Sequence, residues 1–242
     1  MTLSRSSRKL LLLAGAIALP ASLLLSGVRP SRAEEAPHLV PAPTAQQAAP
    51  ASGLQQITVS GGCFWGVQGV FEHVRGVRKA VAGYAGGQAS TAQYETVSTG
   101  TTGHAESVQI TFDPKQVTLG HLMQIFFSVA LDPTQTDGQG PDSGSQYRSE
   151  IWTSTPAQAE AAHAYIAQLD AAHAFGAKIA TRVDTLPGFY PAENYHQDYL
   201  AHNPDAPYIA INDMPKVTAL KQLFPDDYKD TPNLALASAG IM

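Results

Sequence analysis

Gln56-Ile57-Thr58-Val59-Ser60-Gly61-Gly62-Cys63-Phe64-Trp65-Gly66-Val67-Gln68-Gly69-Val70-Phe71-Glu72-His73 is a strand, a tight glycine turn and a helix in eighteen residues. Ile57 and Val59 alternate with polar residues, which predicts a short strand over 56–60. From Trp65 to about His73, Val67, Val70, Phe71 and then Val74 fall at helical spacing, and Gly76 ends the helix. Between the two sits Cys63, the sole cysteine of 242 residues. The paired glycines let the backbone bend sharply, and the adjacent aromatic pair supplies rigid apolar walls. A lone cysteine serves as nucleophile, redox centre or inert core residue, and these neighbours favour a reactive thiol. A position at a helix N-terminus would lower its pKa towards neutrality.

Downstream, Val77–Tyr84 reads as a second strand, Ser107–Phe112 as a third, Leu119–Leu131 as a helix and Ser149–Thr153 as a fourth strand. The order β-α-β-β-α-β predicts an α+β, ferredoxin-like two-layer sandwich. A further helix starts at the capping box Thr155-Pro156-Ala157-Gln158 and runs to about Ala174, before Gly176. Ile179–Leu186 is a candidate fifth strand. After Pro187, Tyr, Pro, Asn and Asp dominate up to Pro225, which predicts a long irregular C-terminal wrap with one short helix near Thr218–Leu223.

The N-terminus reads as a secretory signal over 1–33. Arg5, Arg8 and Lys9 precede an apolar run from Leu10 to Leu25, and Ser31-Arg32-Ala33 presents small residues at a cleavage-like site. Retention as a membrane anchor is the alternative, with Pro20 and the cleavage-like site against it. Residues 34–54, rich in Ala, Pro and Gln, predict a flexible linker. The rest, 55–242, is long enough for one domain with a full hydrophobic core. Removing the five cations of the signal takes the formal charge from −5 to −10, a poor balance for nucleic-acid binding. Export to an oxidising, periplasmic space favours disulfides, so an unpaired thiol there is a liability unless it works.

Among chemistry-bearing residues, Glu106 opens a strand after Thr102-Gly103-His104. Tyr94, Tyr147, Tyr190, Tyr195, Tyr199 and Tyr208 lie mostly in predicted loops, and Asp142 shares a Gly-rich loop with Gln146-Tyr147-Arg148. Tyrosines in such numbers suit a pocket that needs hydroxyl donors in an apolar wall. A cysteine hydrolase would use His104 or His196 as base. The eight histidines are scattered without ligand spacing, so no metal site is expected.

Gly61-Gly62-Cys63-Phe64-Trp65-Gly66 resembles the signature of the A-type peptide methionine sulfoxide reductases. Further matches follow in order: Gly83-Tyr84-Ala85-Gly86-Gly87, Tyr94-Glu95-Thr96-Val97, Thr102-Gly103-His104-Ala105-Glu106, Phe112-Asp113-Pro114, Asp132-Pro133-Thr134-Gln135, Gln146-Tyr147-Arg148-Ser149 and Ala192-Glu193-Asn194-Tyr195-His196-Gln197. The resemblance spans about Gln56 to Phe224. It implies that Cys63 is the nucleophile, that Phe64 and Trp65 wall the S-methyl pocket, and that Glu106 protonates the sulfoxide oxygen. Tyr94 and Tyr147 match hydroxyls that bind this oxygen, and Asp142, Tyr199 and Tyr208 match substrate-contacting positions.

The implied reaction is reduction of the S epimer of methionine sulfoxide, in proteins and free, through a sulfenic acid on Cys63. It needs no bound cofactor and serves repair of oxidised proteins. Many relatives carry further cysteines near the C-terminus that resolve the sulfenic acid, and Pro225 to Met242 has none. An external thiol, thioredoxin-like or small, is therefore the expected reductant. Leu131-Asp132-Pro133 also stands where relatives often have His-Asp-Pro. A non-catalytic binder of oxidised methionine is a further alternative, opposed by the intact Cys63, Glu106 and Tyr94. Monomer is the default expectation.

Overall fold

The computed structural model describes residues 36–44 and 53–236, so the predicted signal segment lies outside the described residues. Among the described residues, eight strands and six α-helices follow in chain order: β1 Gln55–Gly61, α1 Phe64–Glu72, β2 Val77–Ala85, α2 Tyr94–Val97, β3 Ala105–Phe112, α3 Leu119–Ile125, β4 Gly138–Gln139, β5 Asp142–Ser143, β6 Ser149–Thr153, α4 Pro156–Ala171, β7 Arg182–Thr185, β8 Phe189–Pro191, α5 Tyr199–His202 and α6 Met214–Leu223. The result is a mixed α+β fold around a six-stranded sheet of order β7-β6-β1-β3-β2-β8. All pairings in it are antiparallel except β6 with β7.

Register follows the apolar alternation. Ile57 lies opposite Ile110 and Val59 opposite Val108, so both pairs share one face. That face carries the main core, in which α1 packs on β2, β3 and α6, while α3 packs on α4. The polar alternates Thr58 and Ser60 are buried too. Ser60 Oγ accepts a hydrogen bond from Trp152 Nε1–H at 2.9 Å and pairs with Ser107 Oγ at 2.7 Å. Trp152, Ala85, Ala105 and Leu186 thus cover part of the second face, and its buried hydroxyls are satisfied.

Local signals set several boundaries. Thr155 Oγ1 accepts Gln158 N–H at 3.2 Å, and Gln158 Oε1 accepts Ser154 N–H at 2.8 Å, so a reciprocal cap starts α4 with Pro156 at its first turn. The helix predicted to reach Leu131 is α-helical only to Ile125 and continues as a wider π-helical turn over Phe126–Ala130.

Two expectations are corrected. The predicted C-terminal wrap is not wholly irregular: it holds β8, α5, a π turn Ile209–Asp213 and α6. The short helix expected near Thr218–Leu223 is the C-terminal part of α6, whereas β8, α5 and the π turn are too short for a periodic signal and form because they lie on β2 and α1. The second correction concerns the predicted flexible linker. Its described part, 36–44, is held against the helical layer. Val40 is 1% exposed, Val40 N–H donates to Ser128 Oγ at 3.2 Å, and Gln124 Nε2–H donates to Val40 O at 2.9 Å. Tyr165 hydroxyl donates to Pro41 O at 2.7 Å, and Thr44 N–H to Gln168 Oε1 at 2.8 Å. Composition counts only what a segment can bury by itself. Here one valine and a row of main-chain carbonyls use a groove that α3 and α4 have already built.

Candidate active site

Cys63 caps the N-terminus of α1, at the end of the turn that leaves β1. Gly62 has φ +87°, and a Cβ there would stand 2.6 Å from Gln139 Cβ, so the turn is open to glycine alone. Gln139 lies across it and bonds both backbone groups of Asp132, N–H to Oε1 at 3.0 Å and Nε2–H to carbonyl at 2.6 Å. Cys63 is 8% exposed. Burial pushes the pKa of its thiol well up, and the Glu106 and Asp213 carboxyls push in the same direction. The N–H of Trp65 and the Lys216 ammonium pull downward and are outweighed. This corrects the expected lowering: the helix terminus is present, but desolvation dominates and the resting thiol keeps its proton.

Glu106, the second residue of β3, sits opposite Tyr84 in the β2–β3 register and is 3% exposed. Its Oε2 accepts the N–H of Phe64, the first residue of α1, at 2.9 Å. Burial raises its pKa to about 8; the Phe64 bond opposes the shift, and the Asp142 and Asp213 charges reinforce it. At neutral pH it is a carboxylic acid beside a thiol.

Around this pair the chain assembles an aromatic wall. Trp65 stacks on Tyr199 with ring centres 4.1 Å apart and planes 16° apart, and meets Tyr208 edge-on at 6.1 Å. Phe64 lies 6.4 Å from Trp65. The Tyr208 hydroxyl donates to Asp142 Oδ2, which ties α6's approach to the Gly-rich loop. Tyr94 and Tyr147 are half-buried, and both hydroxyls have raised pKa values, from burial first and then from the nearby Glu106 charge. Asp142, Tyr94 and Cys63 add to the shift at Tyr147. The nine residues to which the resemblance gave a role thus lie on elements that meet around Cys63: Phe64 and Trp65 on α1, Glu106 on β3, Tyr94 on α2, Asp142 and Tyr147 in the Gly-rich loop, and Tyr199 and Tyr208 stacked or edge-on against Trp65.

Neither histidine is placed as a base. His104 Nδ1 accepts Gly87 N–H at 3.2 Å, so Nε2 carries the proton and donates to Gln88 O at 3.0 Å. His196 Nδ1 accepts the indole N–H of Trp65 at 3.2 Å, and burial lowers its pKa, with Glu193 opposing. It orients the tryptophan as a neutral ring.

The sequence model of the family described as peptide methionine sulfoxide reductase matches residues 55–228. The chain belongs to that family. A peptide methionine sulfoxide reductase MsrA 2 of Mesorhizobium japonicum is 57% identical over 80% of this chain and 98% of its own length. An MsrA 2 of Synechocystis sp. is 49% identical over 74% of this chain and 84% of its own. Among solved structures, reduced Mxr1 from Saccharomyces cerevisiae superposes with a TM-score of 0.58 at 33% identity, covering 66% of this chain and 91% of that one.

Three groups that shape the reductase site have no role assigned to them from the sequence, although Glu193 and Arg148 stand in the quoted motifs. Asp213, fully buried at the end of the π turn, lies under the first turn of α1, where a Cβ on Gly66 would collide with its Oδ1. The small residue at 66 signals a close approach without naming the partner. Glu193 accepts the Tyr84 hydroxyl at 2.9 Å and Tyr94 N–H at 3.0 Å, which locates Tyr94. Arg148 donates to Glu150 at 2.6 Å, Ser145 O at 3.0 Å and Gly103 O at 3.1 Å, so it joins the turn before Tyr147 to the turn before Glu106. Among the described residues there is no group of three potential metal ligands, and no helix is long and apolar enough to cross a membrane.

Proposed function

We propose that this chain reduces the S epimer of methionine sulfoxide to methionine, in polypeptides and free, with Cys63 as the atom that takes the oxygen. The observation that carries the reading is the placement of the Glu106 carboxyl, buried beside Cys63 at the start of α1 and accepting the first N–H of that helix, where burial pushes its pKa up. A sulfoxide oxygen leaves poorly until it is protonated. Glu106 gives its proton to that oxygen as Cys63 Sγ attacks the sulfur, and the proton lost by the thiol returns to Glu106. The attack makes an Sγ–S bond; the hydroxyl then passes to Cys63 Sγ as the S–O and Sγ–S bonds break, so that Cys63 becomes a sulfenic acid and the methionine thioether leaves, one thiol oxidised by two electrons and one sulfoxide reduced by two. Tyr94 and Tyr147 hydroxyls stabilise the charge that develops on the oxygen. Phe64 and Trp65 enclose the S-methyl group, with Asp142, Tyr199 and Tyr208 around the remainder of the side chain.

With one cysteine in the chain, the sulfenic acid is reduced from outside. Two external thiol equivalents, thioredoxin-like or small, return the Cys63 thiol and release a disulfide and water. No bound cofactor enters this cycle. The basic, apolar N-terminal segment supports export to the periplasm, and we take the protein to act as a monomer on oxidised proteins. The antiparallel order β6-β1-β3-β2, with α1 and α3 in its two crossovers, supports a ferredoxin-like reading of the central unit.

The test is stoichiometric. The reduced protein is mixed with an excess of an S-epimer methionine sulfoxide peptide and no thiol. One equivalent of methionine product and a dimedone-trappable adduct on Cys63 are expected. Many turnovers without thiol would overturn the external-reductant step, and no product would overturn the reductase reading.

A further inference from the structure

Tyr199 stacks on Trp65 from α5, a single turn of helix, and so short an element does not fix its own position. Its first anchor lies on α1. Asp198 N–H donates to Gln68 Oε1 at 3.0 Å, and Gln68 Nε2–H donates to Gln197 Oε1 at 3.1 Å. Leu200 packs so closely on Gly69 that a Cβ there would stand 2.8 Å from its Cδ1. Trp65 is on the same helix, one turn before Gln68. The second anchor is the C-terminal strap, residues 229–236. Lys229 N–H donates to His73 O and Asn233 N–H to Glu72 O, both at 2.9 Å, which carries the strap across the end of α1. It then finishes on Asp198: Ala235 N–H donates to Oδ1 at 2.7 Å and Leu236 N–H to Oδ2 at 3.0 Å.

Asp198 holds an unfavourable position to accept those bonds. Its φ is +58°, in the left-handed region, and it is only 1% exposed. The fully buried Glu72 faces it, and burial, then the Asp198 carboxylate, push the Glu72 pKa up to about 10. Glu72 therefore keeps its proton, and both Asp198 oxygens stay with the strap. A strained, buried acid persists only where the structure around it over-determines it, and such residues cluster at functional sites. The reaction itself uses neither acid, yet Asp198 immediately precedes a residue of the pocket wall.

We propose that Asp198 is a positioning residue for substrate binding: its carboxylate latches the C-terminal strap onto the start of α5 and so holds Tyr199 flat against Trp65. This rests on the reductase reading, in which Tyr199 lies beside the methionine sulfoxide side chain. Without the latch α5 keeps only its anchor on α1, and Tyr199 swings away from the indole. Substrate then binds more weakly, while Cys63 and Glu106 keep their places.

The experiment follows single-turnover sulfenic acid formation in the full chain against the concentration of the S epimer of N-acetyl methionine sulfoxide methylamide. Asp198→Gly removes the carboxylate, and glycine adopts the left-handed turn freely. Its half-saturating concentration should rise about tenfold, the factor that one hydrogen bond to a charged group corresponds to, with the limiting rate nearly unchanged. Asp198→Asn keeps one acceptor oxygen and should recover part of the loss. Leu236→Pro deletes one strap N–H at a residue 39% exposed and should weaken binding in the same direction. Combined with Asp198→Gly it should add nothing further. Acrylamide should quench tryptophan fluorescence more strongly in Asp198→Gly, and because Trp152 is 4% exposed the change reports Trp65. A lower Tm in Asp198→Gly with unchanged half-saturation and quenching would overturn the proposal, as would full additivity of the two changes. Absence of product from the wild type would instead strike the reductase reading itself.

Discussion

Replacing Glu106 by glutamine isolates one proton. Glutamine keeps the length of the side chain and an oxygen for the Phe64 N–H that now meets Glu106 at 2.9 Å, but it cannot donate a proton that titrates. The carboxyl's pKa is about 8 in the folded protein and 4.5 ordinarily. With that value, roughly nine-tenths of molecules hold the proton at pH 7 and roughly one-tenth at pH 9, so the wild-type rate of sulfenic acid formation should fall about tenfold between them. Cys63 does not compensate, because burial raises its pKa as well. The variant should lose about 10²–10⁴-fold at pH 7 and its rate should no longer fall across this range.

The same proton appears in stability. The folded pKa lies above the unfolded one, so between about 4.5 and about 8 the folded state holds a proton that the unfolded state releases, and the wild type loses stability as pH rises through that window. The gap corresponds to at most about 5 kcal/mol, and the Glu106→Gln variant, which has no carboxyl to titrate, escapes it. Rapid-quench single turnovers from pH 6 to 9.5, with urea unfolding at pH 5 and 8.5, measure both quantities. A flat wild-type rate profile, or a variant-to-wild-type stability difference that does not grow with pH, would refute the argument.

Gly66→Ala drives a methyl carbon into Asp213 Oδ1, so either α1 or the buried carboxylate must shift; a loss of about 1–3 kcal/mol and a Tm lower by about 3–10 °C are expected by calorimetry, and an unchanged Tm would show that the contact is soft. Val40→Asp puts an unpaired charge into the groove that holds residues 36–44, with a loss of about 2 kcal/mol expected in urea unfolding; an unchanged midpoint would return this segment to the status of a linker.

Where pattern and structure agree, the information is local. The period-2 run at Ile57 and Val59 and the helical spacing of Val67, Val70 and Phe71 read directly into β1 and α1, and the Thr155–Gln158 box sets the start of α4. Ser149–Thr153 is a strand with the bounds expected of it. Where they diverge, a partner distant in sequence decides. Residues 36–44 carry no core of their own and order only because Ser128, Gln124 and Tyr165 face them. Tyr199–His202 is one turn of helix with no periodic signal.

By itself the sequence determined the inventory of the site. A single cysteine between glycines and aromatics, the order of motifs, and the acid and tyrosines that follow all belong to the residues as written. The state of those groups was decided only by tertiary structure. A helix N-terminus favours a thiolate, yet the Cys63 thiol stays protonated because the fold removes its water and sets two carboxyls nearby. Glu106 is an ordinary glutamate in the chain and becomes an acid at pH 7 only when β3 carries it beneath the first turn of α1. Composition and spacing record which groups are present, whereas desolvation and charge proximity depend on what surrounds them, and no local stretch of this chain contains that information.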